Sequence, residues 1–346
     1  MRPRRHGNRC CVTKCIWRID VPFIDMHCDT LMVSYQQNRQ DLYEMPNAMV
    51  DIKRMREAGA LAQFFAIFMP SPEAENPLDR SRPIDDDAYI AYCLGVFRNT
   101  MGRHGDCIRQ ALSGSAILKN GEEGTMSAFL TFEDGRPIDG KLENLEHYYH
   151  EGIRLISLTW NGENCFGFPN ASDPEAMQKG LKPFGKDAVR RMNELGMVID
   201  VSHLSDGGFR DVAAISAKPF VASHSNCRAL SPHRRNLSDD MIRTLANQGG
   251  VAGLNFAPEF VNRDITSKTS TAALISAQAR HMIAVGGIDC VALGSDFDGI
   301  QGDLEVSGVE KMYLLFDQFR RDGLSQGEID KIAWKNALRV LKDIMG

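Results

Sequence analysis

The 346-residue chain has no apolar run approaching the roughly 20 residues that cross a bilayer as a helix, so no transmembrane helix is expected. It has no CxxC pair, and its nine cysteines are scattered, which argues against both a thiolate zinc ribbon and a disulfide scaffold. A net charge of −5 leaves no general basic field to hold nucleic acid or an anionic membrane. Solenoid-type repeats and low-complexity tracts are absent. The segment after the first apolar run, MHCDTLMVS, has none of the glycines of a dinucleotide-binding turn, which counts against a doubly wound open sheet. Residues 1–20 are basic, but no apolar stretch of the kind found in a signal peptide follows them. They are expected to form a disordered extension, with a small metal site on Cys10, Cys11 and Cys15 as the alternative. Reduced thiols and the lack of an export signal point to a cytoplasmic protein.

What the sequence does contain is alternation. Eight short apolar runs occur, at 23–27, 61–68, 126–133, 153–160, 197–203, 220–225, 250–256 and 290–297. Most are apolar throughout, as strands of a parallel sheet covered on both faces should be. Amphipathic helical segments lie between them, among them 184–196, 205–216, 238–250 and 271–287, with Ser or Thr starts and Gly stops. Eight strands alternating with helices predict an α/β fold of the (β/α)₈ barrel type, occupying residues 21–346 as a single domain. The longer stretches 70–124 and 161–183 follow strand C-termini and are expected to narrow the barrel mouth. The last 23 residues or so read as a helix pair closing the barrel.

The chemistry lies at the strand ends. His27 and Asp29 end the first run and Glu133 the third; His203 ends the fifth, His224 lies near the end of the sixth, and Asp296 falls in the eighth. In a closed barrel all these ends ring one mouth, so residues distant in sequence converge. Any one of them alone would read as a structural histidine or a helix cap. Three imidazoles and three carboxylates together call for a cation, because buried charge is costly without a partner. Imidazole with carboxylate suits Zn²⁺ or Mn²⁺, and the set exceeds what one four-coordinate zinc needs. His27 and Asp29, two apart, face the same side of an extended strand end, and Cys28 between them faces the helices. Arg234 and Arg235, in the loop after the sixth run, are candidates for a carboxylate clamp.

The segments FIDMHCDTL, FLTFEDG, LISLTWNGEN, VIDVSH, FVASHSNCRALSPHRRNLSDD, GGVAGLNF and LGSDFDG resemble the membrane dipeptidase (renal dipeptidase) family of zinc metallopeptidases, in particular its soluble bacterial branch, over roughly residues 22–345. The resemblance implies a (β/α)₈ barrel with two zinc ions per chain, one on His27 and Asp29, the other on His203 and His224, bridged by Glu133. It implies an acid/base role for Asp296 and a substrate-carboxylate role for Arg235. The reaction it implies is hydrolysis of dipeptides, including those with a C-terminal D-residue, by a metal-bridging hydroxide. A small peptide is the expected partner, with no nucleic acid or membrane, and a homodimer is the assembly the family suggests. One departure stands out. Where many family members carry a histidine after the fourth strand, this chain has Trp160, which donates one N–H but neither takes a proton nor carries charge. Either a neighbour such as Asn161 or Asn164 takes over part of that contact to the substrate, or the substrate is a non-peptide amide, lactone or ester cleaved by the same binuclear centre.

Overall fold

In the computed structural model, residues 21–70 and 85–346 are described. The expected extension at 1–20, with Cys10, Cys11 and Cys15, lies outside the described residues, as do residues 71–84 of the first long stretch. Eight parallel strands close on themselves: β1 Phe23–Cys28, β2 Ala60–Phe68, β3 Met126–Glu133, β4 Ile153–Ser157, β5 Val198–Asp200, β6 Val221–Ala222, β7 Val251–Leu254 and β8 Val291–Leu293. Each of the eight apolar runs supplies one of them. Closure comes from β8 pairing with β1 through Asp25↔Leu293 and from β2 pairing with β3 from Ala62↔Ser127 to Phe68↔Glu133. A three-residue strand, Ile108–Gln110, pairs with the start of β3, where β4 has not yet begun.

The apolar residues form two layers. Ile24, Phe64, Phe129, Leu155, Val198 and Val251 pack with Leu338, Leu341 and Ile344 of the C-terminal helix, which plugs the end of the barrel where strands begin. The larger layer lies between strands and surrounding helices and includes Cys28, Phe65 and Phe97. The helices start where the sequence supplies caps: Ser205, Ser238 and Thr271 each accept a hydrogen bond from a first-turn N–H. Helix Pro183–Leu195 stops at Gly196 with φ 73°.

Two expectations need correction. The C-terminal segment is one helical run from Gln326 to Met345, with a π-helical turn at Lys331–Lys335, and not a helix pair. No breaker residue divides it, and Asn336 just past the wide turn donates to the Ile288 and Val291 carbonyls. Much of 70–124 belongs to the outer layer, not to the mouth: Asp86–Arg103 is an 18-residue helix whose Phe97 packs on Phe65 of β2. No helix among the described residues is long and apolar enough to cross a membrane.

Candidate metal centre

Because the strands are parallel, their C-termini share one rim, and the chain turns sharply as it leaves them. β5 ends at Asp200 and β8 at Leu293, so His203 and Asp296 sit just beyond regular strand. Both adopt left-handed backbone, with φ 69° and 64°. Asp134 (81°) and Asp298 (71°) do the same beside Glu133 and Asp296. Such conformations cost of order 1 kcal/mol or more each and persist only where surroundings hold them. Here they are held: the His203 carbonyl accepts from both Asn170 N and Nδ2, Asp298 accepts from Thr30 Oγ1 and Met49 N, and Asp134 from Asn164 Nδ2.

These turns bring all six polar residues of the strand ends into one buried cluster. His27 Nε2 lies 3.5 Å from Asp29 Oδ2, 3.4 Å from Glu133 Oε2 and 3.7 Å from Asp296 Oδ1. On the other side, Glu133 Oε1 lies 2.9 Å from His203 Nε2 and 3.6 Å from His224 Nε2, and those two nitrogens are 3.0 Å apart. Glu133 therefore presents one oxygen to each half of the cluster. Ligands about 2.0–2.1 Å from a tetrahedral zinc stand about 3.3 Å from one another. The observed separations match the edges of such a polyhedron. Both His27 nitrogens and Asp29 Oδ1 are buried with no hydrogen-bond partner among the described residues, although buried polar atoms are ordinarily satisfied. The donor set and these orphaned atoms fit a divalent cation in each half.

The electrostatics of the bare cluster divide the three imidazoles: burial lowers His27, but Glu133 and Asp29 outweigh it and hold His27 well above the usual range, whereas the other two are held down. Burial, reinforced by Arg235, lowers His203 to about 4, and burial with His27 holds His224 well below the usual range, so both imidazoles stay neutral, the state that ligates. Burial and the neighbouring Glu133 push the Asp29 carboxyl up to about 8. Burial pushes Asp296 up to about 6, against the pull of His27. Burial also pushes Glu133 up, but His27 and the imidazole hydrogen bonds outweigh it and hold the carboxyl well below its usual value. A dication would favour the ionised form of each carboxylate.

A cavity of about 340 Å³ opens onto the cluster, reaching Asp29, Glu133, His203 and Asp296. Its remaining walls include Met32, Phe68, Trp160, Phe260 and Ile300, with Glu259 as the carboxylate outside the cluster. Trp160 meets Phe68 edge-on at 4.7 Å and its ring centre is 6.3 Å from that of His203. Asn161 lines the cavity, and its Oδ1 lies 3.2 Å from His203 Nδ1, so its amide is engaged with an imidazole. Asn164 is committed to its own loop, donating to Asp134 and Leu158 and accepting from Phe166 N. Arg235 lies behind the cavity wall, 6% exposed, its Cζ 5.4 Å from the Phe260 ring centre. It donates to Ser225 Oγ and the His224 carbonyl, leaves Nε unpaired, and has no ion pair among the described residues. Arg234 is exposed and donates to Ser172. Asp200, Ser223 and Asn255, which hold cluster residues from behind, carry no spacing signal in the sequence that would single them out.

The model of the membrane dipeptidase family, peptidase family M19, matches residues 18–345. The "uncharacterized protein in pqqA 5'region" of Klebsiella pneumoniae is 34% identical over 258 residues, covering 72% of this chain and 94% of that protein. Among solved structures, the metallopeptidase dipeptidase AC superposes with a TM-score of 0.84 at 27% identity, covering 94% of this chain and 99% of the other. A metallopeptidase from Rhodobacter sphaeroides, solved with a phosphinate mimic of the dipeptide L-Ala-D-Ala, superposes with a TM-score of 0.82 at 26% identity over the same shares of the two chains.

Proposed function

Because this chain belongs to the membrane dipeptidase family of metallopeptidases, we propose that it is a zinc-dependent dipeptidase whose binuclear centre is held by His27, Asp29, Glu133, His203 and His224. The observation that carries this reading is the buried cluster in which Glu133 offers one oxygen to His27 and Asp29 and the other to the His203–His224 pair. Two zinc ions bound there would supply a Lewis acid for the substrate carbonyl and a water acidic enough to ionise near neutral pH.

The residues around the cluster have separate tasks. Asp296 lies at the cavity edge, its Oδ2 fixed by Asn255 Nδ2 at 2.7 Å, which leaves Oδ1 to take a proton from water and return it to the leaving amine. Arg235 is a buried cation with no ion-pair partner among the described residues, set behind Phe260 of the cavity wall, and a substrate's free C-terminal carboxylate reaching past that ring would complete it. The small cavity and this clamp together restrict substrates to very short peptides. The phosphinate dipeptide mimic held by the Rhodobacter sphaeroides relative supports a dipeptide, with a D-residue tolerated at the second position.

A second reading rests on Trp160. It lines the cavity where the resemblance expects a histidine, so one polar contact to a peptide carbonyl is replaced by an apolar wall. That favours a non-peptide amide, lactone or ester as the substrate of the same centre. The test is metal content of the purified protein with turnover of L-Xaa-L-Xaa and L-Xaa-D-Xaa dipeptides before and after chelation. About two zinc ions per chain and chelator-sensitive cleavage are expected. Two metals without dipeptide turnover would transfer the assignment to the second reading, and no metal with no zinc-dependent activity would refute both.

A further inference from the structure

Asp200 is wholly buried at the end of β5, has no ion-pair partner among the described residues, and does not line the cavity. Its carboxylate accepts four hydrogen bonds. Ser202 N (3.0 Å) and Ser223 N (2.8 Å) donate to Oδ1; Ser157 Oγ (2.5 Å) and Ser223 Oγ (2.6 Å) donate to Oδ2. A carboxylate has about four acceptor sites, so this one is saturated by donors at the end of β4 and just past the ends of β5 and β6. Ser223 Oγ has a single proton, and Asp200 takes it. The same oxygen lies 2.7 Å from His224 Nδ1, where it can only accept. His224 must therefore carry its proton on Nδ1 and turn the lone pair of Nε2 toward Glu133 and His203.

We propose that Asp200, acting through Ser223, is a positioning residue that sets the ring tautomer of His224 and so presents Nε2 to the metal. The assignment of a metal to His224 rests on the function proposed above; the tautomer does not. Carboxylate-backed imidazoles are oriented and made more basic by their outer partner, and loss of such a partner typically costs about 10- to 100-fold in metal affinity. The three imidazoles are backed differently. His203 Nδ1 faces the neutral amide oxygen of Asn161, while His27 Nδ1 has no partner. Among the described residues, His224 is the one imidazole whose Nδ1 is tied, through Ser223, to a buried acid.

The surrounding donors dictate what Asp200→Asn would do. Two backbone N–H groups hold the Oδ1 position for an oxygen, so the new amide NH₂ must occupy the Oδ2 position, facing Ser157 and Ser223. Ser223 then accepts from the amide and donates its own proton to His224 Nδ1. The ring proton moves to Nε2, the nitrogen that should bind metal.

The test combines ¹⁵N ring shifts of His224 in metal-free protein with zinc affinity by chelator competition. Wild type should show the Nδ1–H tautomer. Asp200→Asn should show Nε2–H and lose about 10- to 100-fold in affinity for one of the two zinc ions, the one assigned to the His203–His224 half. Ser223→Ala should lose less, and adding Asp200→Asn to it should cost little more, because the relay is already cut. A full Asp200→Asn loss persisting without Ser223, or wild-type tautomer and affinity in Asp200→Asn, would overturn the proposal. Should Asp200→Asn fail to fold, Ser223→Ala decides: an unchanged tautomer population and zinc affinity would overturn it. A wild type that binds no zinc would refute the metal reading, and the ring shifts would still decide the relay.

Discussion

Gly299 lines the cavity between two carboxylates of the cluster, and alanine there is a sharp probe of the site. A Cβ added to Gly299 would stand 2.2 Å from Asp29 Oδ2 and 2.8 Å from Asp296 Oδ1, both closer than real Cβ atoms approach. The backbone raises no objection, since Gly299 is not among the glycines with positive φ. The strain must therefore fall on the carboxylates. Asp29 is 3% exposed and hemmed in beside His27, so its oxygen has to retreat within a packed site. The retreat is about 1 Å, and misplacement on that scale costs on the order of 10²-fold in rate, or about 2.7 kcal/mol of transition-state stabilisation. Gly299→Ala should fold normally by circular dichroism, lose about 10²-fold in kcat/KM on a dipeptide such as L-Ala-L-Ala, and release zinc to a chelator more readily than wild type. A folded variant with full turnover and unchanged metal retention would refute the placement of Asp29 and Asp296 at the reacting centre.

The roles proposed for the other residues make separate predictions. Asp296→Asn keeps the shape and the Asn255 neighbour but removes the base, so metal content should hold while kcat falls about 10²- to 10⁴-fold; undiminished kcat would exclude Asp296 as the proton carrier. Burial pushes Asp296 up to about 6 in the bare chain, and the charged form is the active one. Activity is thus lost as pH falls through its pKa, and bound dications lower that value, so the acid limb of kcat/KM should lie below pH 6. An acid limb at neutral pH that survives in Asp296→Asn would assign it elsewhere. Arg235→Ala should raise KM for dipeptides with a free carboxylate and leave their C-terminal amides comparatively untouched, whereas equal losses on both would mean that Arg235 supports the fold and not the substrate. Glu259 faces the cavity beside Phe260, the ring that Arg235 approaches, so a substrate carboxylate held at Arg235 places its side chain near this acid. L-Ala-L-Lys should be cleaved faster than L-Ala-L-Glu, and Glu259→Gln should narrow the difference; an unchanged ratio would remove Glu259 from specificity.

Much of the barrel was legible because covered parallel strands leave a strong imprint. LAQFFAIF and MSAFLTFE are apolar on both faces apart from Gln63, Ser127, Thr131 and the terminal Glu133, and pair in register as β2 and β3. The convergence of His27, Asp29, Glu133, His203, His224 and Asp296 followed from topology alone, since a closed barrel has one C-terminal rim. What ring spacing could not supply was the division of Glu133 between two halves, which depends on side-chain orientation at the end of β3. Nor could it foresee that Asn161 would engage His203, or that Arg235 would lie behind the wall against Phe260. The serines were the least visible. Ser157, Ser202 and Ser223 are unremarkable in sequence and become a proton-directing set only when β4, β5 and β6 lie side by side. The C-terminal segment differs from the expected helix pair because no breaker divides Gln326–Met345 and its apolar face packs as one run into the barrel end.

The close approach of the strands around His224 shows why the site tolerates so little change. A Cβ on Gly253 or Gly294 would fall 1.9 Å or 1.7 Å from the Ser223 carbonyl oxygen, so β7 and β8 press directly against the strand end that carries His224. Glycine is required there by space, not by backbone angle. The left-handed turns at His203 and Asp296 bring their side chains into the cluster, and their hydrogen bonds keep them from relaxing. The cluster is thus fixed by two constraints, tight backbone contact behind His224 and left-handed turns at His203 and Asp296. Candidate metal ligands held this way enter the folded state already at polyhedral spacing, so a cation entering them would have little reorganisation to drive. The cost falls on the metal-free chain, in which His27, held against burial well above its usual pKa by Glu133 and Asp29, is the imidazole that offsets the buried carboxylates.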